Sequence, residues 1–385
     1  MKIPRAKNNA SAEIIAERVS LLKDKGLDLS HTTHYCFDPS CTRGNIENFI
    51  GVAQVPLGLA GPIRMNGEFA KGDFLVPLAT SEGTLVASYS RGMKAISEAG
   101  GCRARIHSDF FMVPYLFRIP NPEDTGRFKQ WCEQHSDEIA RVMEGTTRHG
   151  KFHGMNIENV PGGAIIEFEM HTGDAMGANM VVVAAHAAME WIAEKAPNID
   201  QRDCHLVDMV KKAVESRRIR GFGKNVTAEV QLSGDILQEV FHTTSKDWMR
   251  LYRAVQQHWV VSGTQGQQCM FANGLAALFI ACGQDAGYLP EATCGSLLAS
   301  ELPDGGLHVT VQIPCLVIGT VGGGCTLPTQ KECLQILGCD GPGKARKFAE
   351  IAAGVALAGE LSVLSSSSAK EFVRAHKELG RKNPV

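Results

Sequence analysis

Apolar residues recur along the chain at two spacings, and the switches between them mark the elements. In 11–25, Ile14, Ile15, Val19 and Leu22 fall at helical spacing, and Gly26 ends the helix. The stretch 27–46 is polar and loop-like. Residues 47–62 (ENFIGVAQVPLGLAGP) are apolar but punctuated by Gly and Pro, which predicts an extended segment with turns. A strand follows at 74–80, then a helix at 81–101 closed by Gly-Gly, with small residues at 83–88 where another helix or backbone comes close. Residues 115–120 read as a strand, 128–145 as one amphipathic helix, and 162–173 as a strand feeding a helix at 176–195. This strand–helix–strand–helix order predicts a small α+β unit inserted in the chain. Beyond Asp200 come a strand at 223–232, helical segments in 245–285, an apolar strand at 308–320 and helix over 344–379. Ser365–Ser368 keep helical phase in an Ala-rich run, which predicts small-residue helix packing rather than a linker.

Length and composition narrow the class. A chain of 385 residues exceeds the usual single core, so two or three subdomains are expected. With 44% hydrophobic and 21% charged residues it has the balance of a soluble globular protein, and a net charge of −2 gives no basis for nucleic-acid binding. The 12 cysteines include no CxxC pair, which fits a reducing compartment and no zinc site. The start MKIPRAKNN has no apolar signal region, and no apolar run reaches about 18 residues. A soluble, cytoplasmic chain without a membrane segment is expected. His31 and His34 have no further ligands nearby, so a solvated loop without metal is the reading there.

Few residues suggest chemistry one at a time. In 174–180 (DAMGANM) a carboxylate precedes a long apolar helix and a glycine follows in its first turn; this predicts Asp174 as N-cap of that helix. Gly177 would let a backbone or a phosphate approach the positive helix end, though on spacing alone a capped core helix is the commoner reading. Glu82, in Thr80-Ser81-Glu82-Gly83, is a candidate general acid if desolvated, or simply a helix-start carboxylate. Lys211 and Lys212 lie in a basic stretch that by itself reads as a solvated face. Asp285 follows an apolar helix, and His376 sits near the end of the chain. The glycine loop 319–325 precedes a helix but lacks GxGxxG phasing.

Together, these segments resemble the 3-hydroxy-3-methylglutaryl-CoA (HMG-CoA) reductase family. The resemblance is carried by ENFIGVAQVPLGLAGP, PLATSEGTLVAS, DAMGANM, GKNVTAEV, ANGLAALFIACGQDA, GTVGGGCTLPTQKECLQILG and LAGELS, in family order, over nearly the whole chain from about residue 45. The pattern is similar to the eukaryotic, class I branch, many of whose members carry a membrane anchor before the catalytic part. The resemblance implies an α+β fold with a large α/β domain (47–114 and 203–385), an inserted ferredoxin-like NADP-binding domain (115–202) and a helical N-terminal subdomain (1–46). It implies NADPH as cofactor, an acyl-CoA or related small carbonyl compound as substrate, and a homodimer or homotetramer with composite sites. Carried over by position, Glu82 is the proton donor and Lys211 stabilises the carbonyl oxyanion. Asp285 bonds to and tunes this pair, and His376 protonates the departing thiolate. Such groups answer the charge that grows on a thioester oxygen and on its leaving sulfur. The dinucleotide falls to Thr147, Arg148, Asp174, Met176, Gly177, Asn179, Val321, Gly322 and Gly323, with Arg148 at the 2′-phosphate.

The substrate positions depart from the family. Ser88 and Arg91 remain and Asn273 is present, but Ser90 replaces an asparagine. Val113 stands where the family has the arginine that grips the substrate carboxylate, Val210 replaces an aspartate, Met270 a histidine, and Cys204 a serine. The run after Lys212 is rewritten as Ala213-Val214-Glu215, and Arg253 stands where the family has a lysine. A charge-assisted bond to a carboxylate contributes roughly 1.5–3 kcal/mol, so the change at 113 weakens HMG binding unless Arg103 or Arg253 compensates. The expected activity is hydride transfer to an acyl thioester or aldehyde other than HMG-CoA. The alternatives are an HMG-CoA reductase with an altered pocket, and a weakly active regulatory homologue that binds cofactor.

Overall fold

A computed structural model describes residues 2–197, 199, 203–207 and 222–372. Its longest strand explains how two units share one chain. β3 (Arg103–Arg118) pairs through its first half with β7 (Gly223–Leu232), from Arg103↔Glu229 to Phe110↔Gly223. Its second half pairs with β5 (Gly163–His171), from Phe111↔Met170 to Arg118↔Gly163. The strand begins earlier than the 115–120 segment expected from its apolar residues. Its first half alternates exposed and half-buried positions, a weaker signal than the apolar run that follows.

After β3 come α3 (Pro122–Gln134), α4 (Ser136–Gly145), β4 (Lys151–Val160), β5, α5 (Ala178–Lys195) and β6 (Cys204–Leu206). Their antiparallel sheet runs β4-β5-β3-β6, the order of a ferredoxin-like βαββαβ unit. Its core holds Phe111, Phe117, Ile166 and Phe168 from the sheet, with Ala184, Ala188 and Ile192 from α5. The single helix expected over 128–145 is two, broken at His135 (φ −103°, ψ 21°). The His135 ring stacks on Trp131 at 4.1 Å and its Nδ1 lies 2.8 Å from the Trp131 carbonyl, a local bond that competes with helix continuation. β4 has no counterpart in the sequence reading; it is an edge strand whose polar residues alternate poorly.

The larger unit is built on α11 (Ala345–Ser368). This helix is apolar on nearly every face and buried along most of its length, where its apolar surface is covered all round. It is long and apolar enough to cross a membrane, the one such helix among the described residues, but here it forms the core. Its four serines continue the helix, with Ser365 and Ser366 buried. Around it pack β7, β9 (Leu307–Leu316) and β8 (Ser296–Glu301), α2 (Leu85–Glu98), α6 (Gly234–Phe241), α7 (Ser245–Ser262) and α8 (Phe271–Ala281). α2 meets α11 at Gly92, where a Cβ would strike the Ala358 carbonyl. The short α9 (Leu289–Ala292) follows α8, and α10 (Pro328–Ile336) precedes α11. A ribbon of β1 (Leu57–Asn66) and β2 (Lys71–Ala79) covers one side, and α1 (Ala12–Lys23) sits in a small N-terminal cluster with Phe49.

Candidate active site

The candidate residues gather in two corners. The first surrounds the start of α5. Gly177 is the N-cap, in the left-handed region at φ +86°, and a Cβ there would collide with the Thr172 side chain, so only glycine fits. Asp174 does not cap α5 as the sequence suggested. The turn at Gly177 carries it away, and its carboxylate instead accepts from Gly343 N (2.7 Å) and Ala345 N (3.0 Å), capping the start of α11. The Asp174 carbonyl accepts from Thr320 N (2.8 Å) and Val321 N (3.3 Å), which brings the glycine loop alongside. A Cβ on Gly319 would lie 2.6 Å from Met176 N. Gly322 (φ +71°) faces open space, and a Cβ on Gly323 would sit 3.6 Å from Met176 Cε.

The turn after α4 closes this corner. Thr147 Oγ1 accepts from His149 N and Gly150 N (both 3.2 Å) and approaches Met180 Sδ on α5 (3.0 Å). Arg148 is exposed and has no acidic partner among the described residues; Asn179 is exposed on the first turn of α5. The nine positions singled out for the dinucleotide therefore meet at a positive helix end beside a glycine loop.

The second corner lies at the start of α8. Glu82 precedes α2, and Asn273 Nδ2 donates to both of its oxygens (3.2 and 2.9 Å). Behind this pair the Met270 peptide is held from both ends. Tyr89 Oη donates to its carbonyl (2.6 Å), and Glu360 accepts from Met270 N (2.6 Å) and Cys269 N (3.0 Å). Glu360 is fully buried on α11, and desolvation pushes its carboxyl up to about 7 against the opposing backbone bonds. Neither Glu360 nor Tyr89 was singled out in the sequence, because nothing local marks a carboxylate inside an apolar helix as serving a distant loop.

A cavity of about 470 Å³ joins Glu82, Ser88, Arg91, Met270 and Asn273, five of the predicted positions, with Leu85, Val363 and Phe372. Arg91 is already engaged: it donates to the Ser362 carbonyl (2.8 Å) and hydroxyl (3.0 Å), lies 3.9 Å from Glu371, and sits over the Phe241 ring. Burial lowers its pKa from the ordinary value, and Glu371 opposes this.

Other predicted positions lie elsewhere. Val113 is buried in β3 opposite Phe168, inside the small-unit core. Cys204, on β6, pairs with Phe117 of β3, and Arg253 is exposed on α7. Arg103 is taken by Glu229 (3.0 Å). Asp285 lies just past α8, its Oδ1 accepting from Gly287 N (2.9 Å), next to the glycine loop and thus nearer the first corner. Val210, Lys211, Lys212 and His376 lie outside the described residues. Among the described residues, no three His, Cys, Asp or Glu side chains gather as metal ligands.

Known proteins match this arrangement along most of its length. The family profile described as hydroxymethylglutaryl-coenzyme A reductase matches residues 14–381. A 3-hydroxy-3-methylglutaryl-coenzyme A reductase of Pyrococcus horikoshii is 40% identical, covering 94% of this chain and 90% of that protein. One from Methanocaldococcus jannaschii is 38% identical, over 93% and 90%. Among solved structures, the class II 3-hydroxy-3-methylglutaryl-CoA reductase from Streptococcus pneumoniae bound to NADPH in open conformations shares the fold. Its TM-score is 0.70 at 20% identity, over 94% of this chain and 100% of that one. The shared α+β architecture and the match over nearly the full chain place this protein in the hydroxymethylglutaryl-coenzyme A reductase family of oxidoreductases.

Proposed function

We propose that the chain is an NADPH-dependent reductase of an acyl thioester or the derived aldehyde, with a pocket remodelled for an acyl group other than 3-hydroxy-3-methylglutaryl. The observation that carries this reading is the cavity holding Glu82 and Asn273. It pairs an acid held through both oxygens with a wall of Leu85, Met270, Val363 and Phe372. Among the described residues its cation, Arg91, is committed to Ser362, and Val113 is packed away in the core, so these residues offer a substrate carboxylate little to grip. Against this, the high identity to relatives named as HMG-CoA reductases favours the authentic activity with a shifted pocket.

The first corner fits a dinucleotide. Gly322 opens onto free space, the start of α5 presents backbone N–H groups, and Arg148 is exposed, with no acidic partner among the described residues, for a 2′-phosphate. Bound there, NADPH supplies the hydride. Asn273 orients Glu82 to give a proton to the carbonyl oxygen as negative charge develops on it. Asp285, braced by the Gly287 N–H, tunes that acid from the cofactor side. Lys211 is assigned to the oxyanion and His376 to the leaving thiolate by resemblance.

Among the described residues, Glu82 and Asp285 stand at opposite ends of α8. Glu82 is held by Asn273 in the first turn of α8 and Asp285 lies beyond its end, with about 12 Å of helix from Asn273 to Ala281 between them. We therefore assign the reaction centre to the interface of two copies in a homodimer or a dimer of dimers, the small unit (115–202) of one facing the second corner of the other. Mixing inactive Glu82→Ala with inactive Asp285→Ala should restore up to about a quarter of wild-type activity, from one competent site per mixed dimer. No recovery, or a fully active monomer on sizing, contradicts this assembly. The substrate reading is tested by NADPH oxidation with HMG-CoA and with a panel of acyl-CoA thioesters and aldehydes. Turnover of HMG-CoA on the order of 1–1000 per second overturns the substrate change.

A further inference from the structure

Gln284 is buried between the two loops that the reaction has to keep in register. Its side chain is 8% exposed, and the residue immediately precedes Asp285. Nε2 donates to the Cys282 carbonyl (2.7 Å) and to Cys325 Sγ (3.3 Å), while Oε1 accepts from Gly319 N (2.9 Å). Cys325 Sγ in turn donates to the Gly319 carbonyl (3.3 Å). Gly319 is thereby held at both its N–H and its C=O, at the residue whose missing Cβ admits Met176 N and the Asp174 carbonyl. The neighbouring backbones touch as well: a Cβ on Gly283 would strike the Gly324 carbonyl, and one on Gly324 the Gly283 carbonyl. A carboxamide offers donor and acceptor in one rigid plane, so it reads a carbonyl on one side and an N–H on the other.

We propose that Gln284 is a positioning residue that sets the spacing between the Asp285 carboxylate and the nicotinamide-side glycine loop. The inference rests on the reading of Asp285 and the glycine loop given above. In a core where apolar contacts lack direction, this amide fixes the two loops to within the tolerance of a hydrogen bond, and hydride transfer is sensitive to displacements of that size.

The test uses the full chain and two near-isosteric variants. Gln284→Met removes all three bonds, and Gln284→Glu keeps the Gly319 contact but turns an acceptor toward the Cys282 carbonyl. NADPH affinity is read by fluorescence titration. Hydride transfer is read by the isotope effect on kcat with NADPH deuterated at the transferred position, a ratio independent of the folded fraction. Both variants are expected to bind NADPH at least tenfold more weakly, to lose at least tenfold in kcat, and to show a larger isotope effect than wild type as hydride transfer becomes limiting. Gln284→Met with NADPH affinity and isotope effect within twofold of wild type overturns the proposal. Wild-type protein that binds no NADPH would instead overturn the reading of the glycine loop, a failure separate from that of Gln284.

Discussion

Replacing Asp174 with alanine tests whether the carboxylate of the cofactor motif caps its own helix or a distant one. In the structure it takes two backbone N–H groups at the start of α11, Gly343 N at 2.7 Å and Ala345 N at 3.0 Å. A bond to a charged group contributes about 1.5–3 kcal/mol when shielded, and an N-cap about 1 kcal/mol in exposed settings. Asp174 is half-buried, so screening moves the sum toward the lower end, and a loss of about 1–2 kcal/mol is expected. In a chain of 385 residues that lowers Tm by only about 1–3 °C, so the unfolding free energy is the sharper readout. Asp174→Asn keeps one acceptor oxygen and should lose about half as much. The assay is denaturant unfolding of both variants, with NADPH titration on the same samples. Because Asp174 also holds the glycine loop through its backbone carbonyl, which the substitution spares, NADPH affinity should fall less than for Gly177→Ala. Unfolding free energy of Asp174→Ala within about 0.3 kcal/mol of wild type, inside the usual surface scatter, would refute the cap assignment.

Three further outcomes follow from other residues. Asn273→Ala removes the donor to both Glu82 oxygens and should lower kcat by about 10- to 100-fold, with little change in KM for NADPH; steady-state kinetics that show less than a threefold loss contradict the role. Gly177→Ala must take φ +86° against the Thr172 side chain, so thermal unfolding should show a loss of about 2–4 kcal/mol along with lost NADPH binding. Glu360 is pushed by burial from an ordinary value of 4.5 up to about 7, so the folded state binds its proton more tightly than the unfolded one. Its contribution to stability is fully present below about pH 4.5 and is lost as pH rises through about 7. Wild type should therefore lose roughly 3 kcal/mol relative to Glu360→Gln across that window, and parallel pH–stability curves for the two proteins would count against it.

Much of the fold was legible because its signals are local. The strand at Gly223–Leu232, the helix Ala178–Lys195 and the serine run inside α11 each carry their own periodicity or composition. The polar half of β3, the edge strands β4 and β8, and the break at His135 were not legible, since each depends on a partner strand or ring outside its own window. The site divides in the same way. The family resemblance groups Glu82 with Ser88, Arg91, Met270 and Asn273, and DAMGANM with the glycine loop, and the structure brings each group together. Val113 shows the limit. Its position in the resemblance points to the substrate, while the pleat of β3 turns it into the core opposite Phe168.

The amino-acid order alone carries the elements, since apolar period and turn residues are properties of neighbours along the chain, and its run of motifs carries the resemblance that implies the family and its chemistry. Tertiary structure alone decided that Asp174 caps α11 rather than α5, that Glu360 and Tyr89 hold the Met270 peptide, and that Gln284 clasps Gly319. It also decided that Asn273, near the start of α8, is the residue that holds Glu82. Each of these links residues that are distant in the chain, and the bond that satisfies a buried polar group goes to whichever partner the packing brings within about 3 Å.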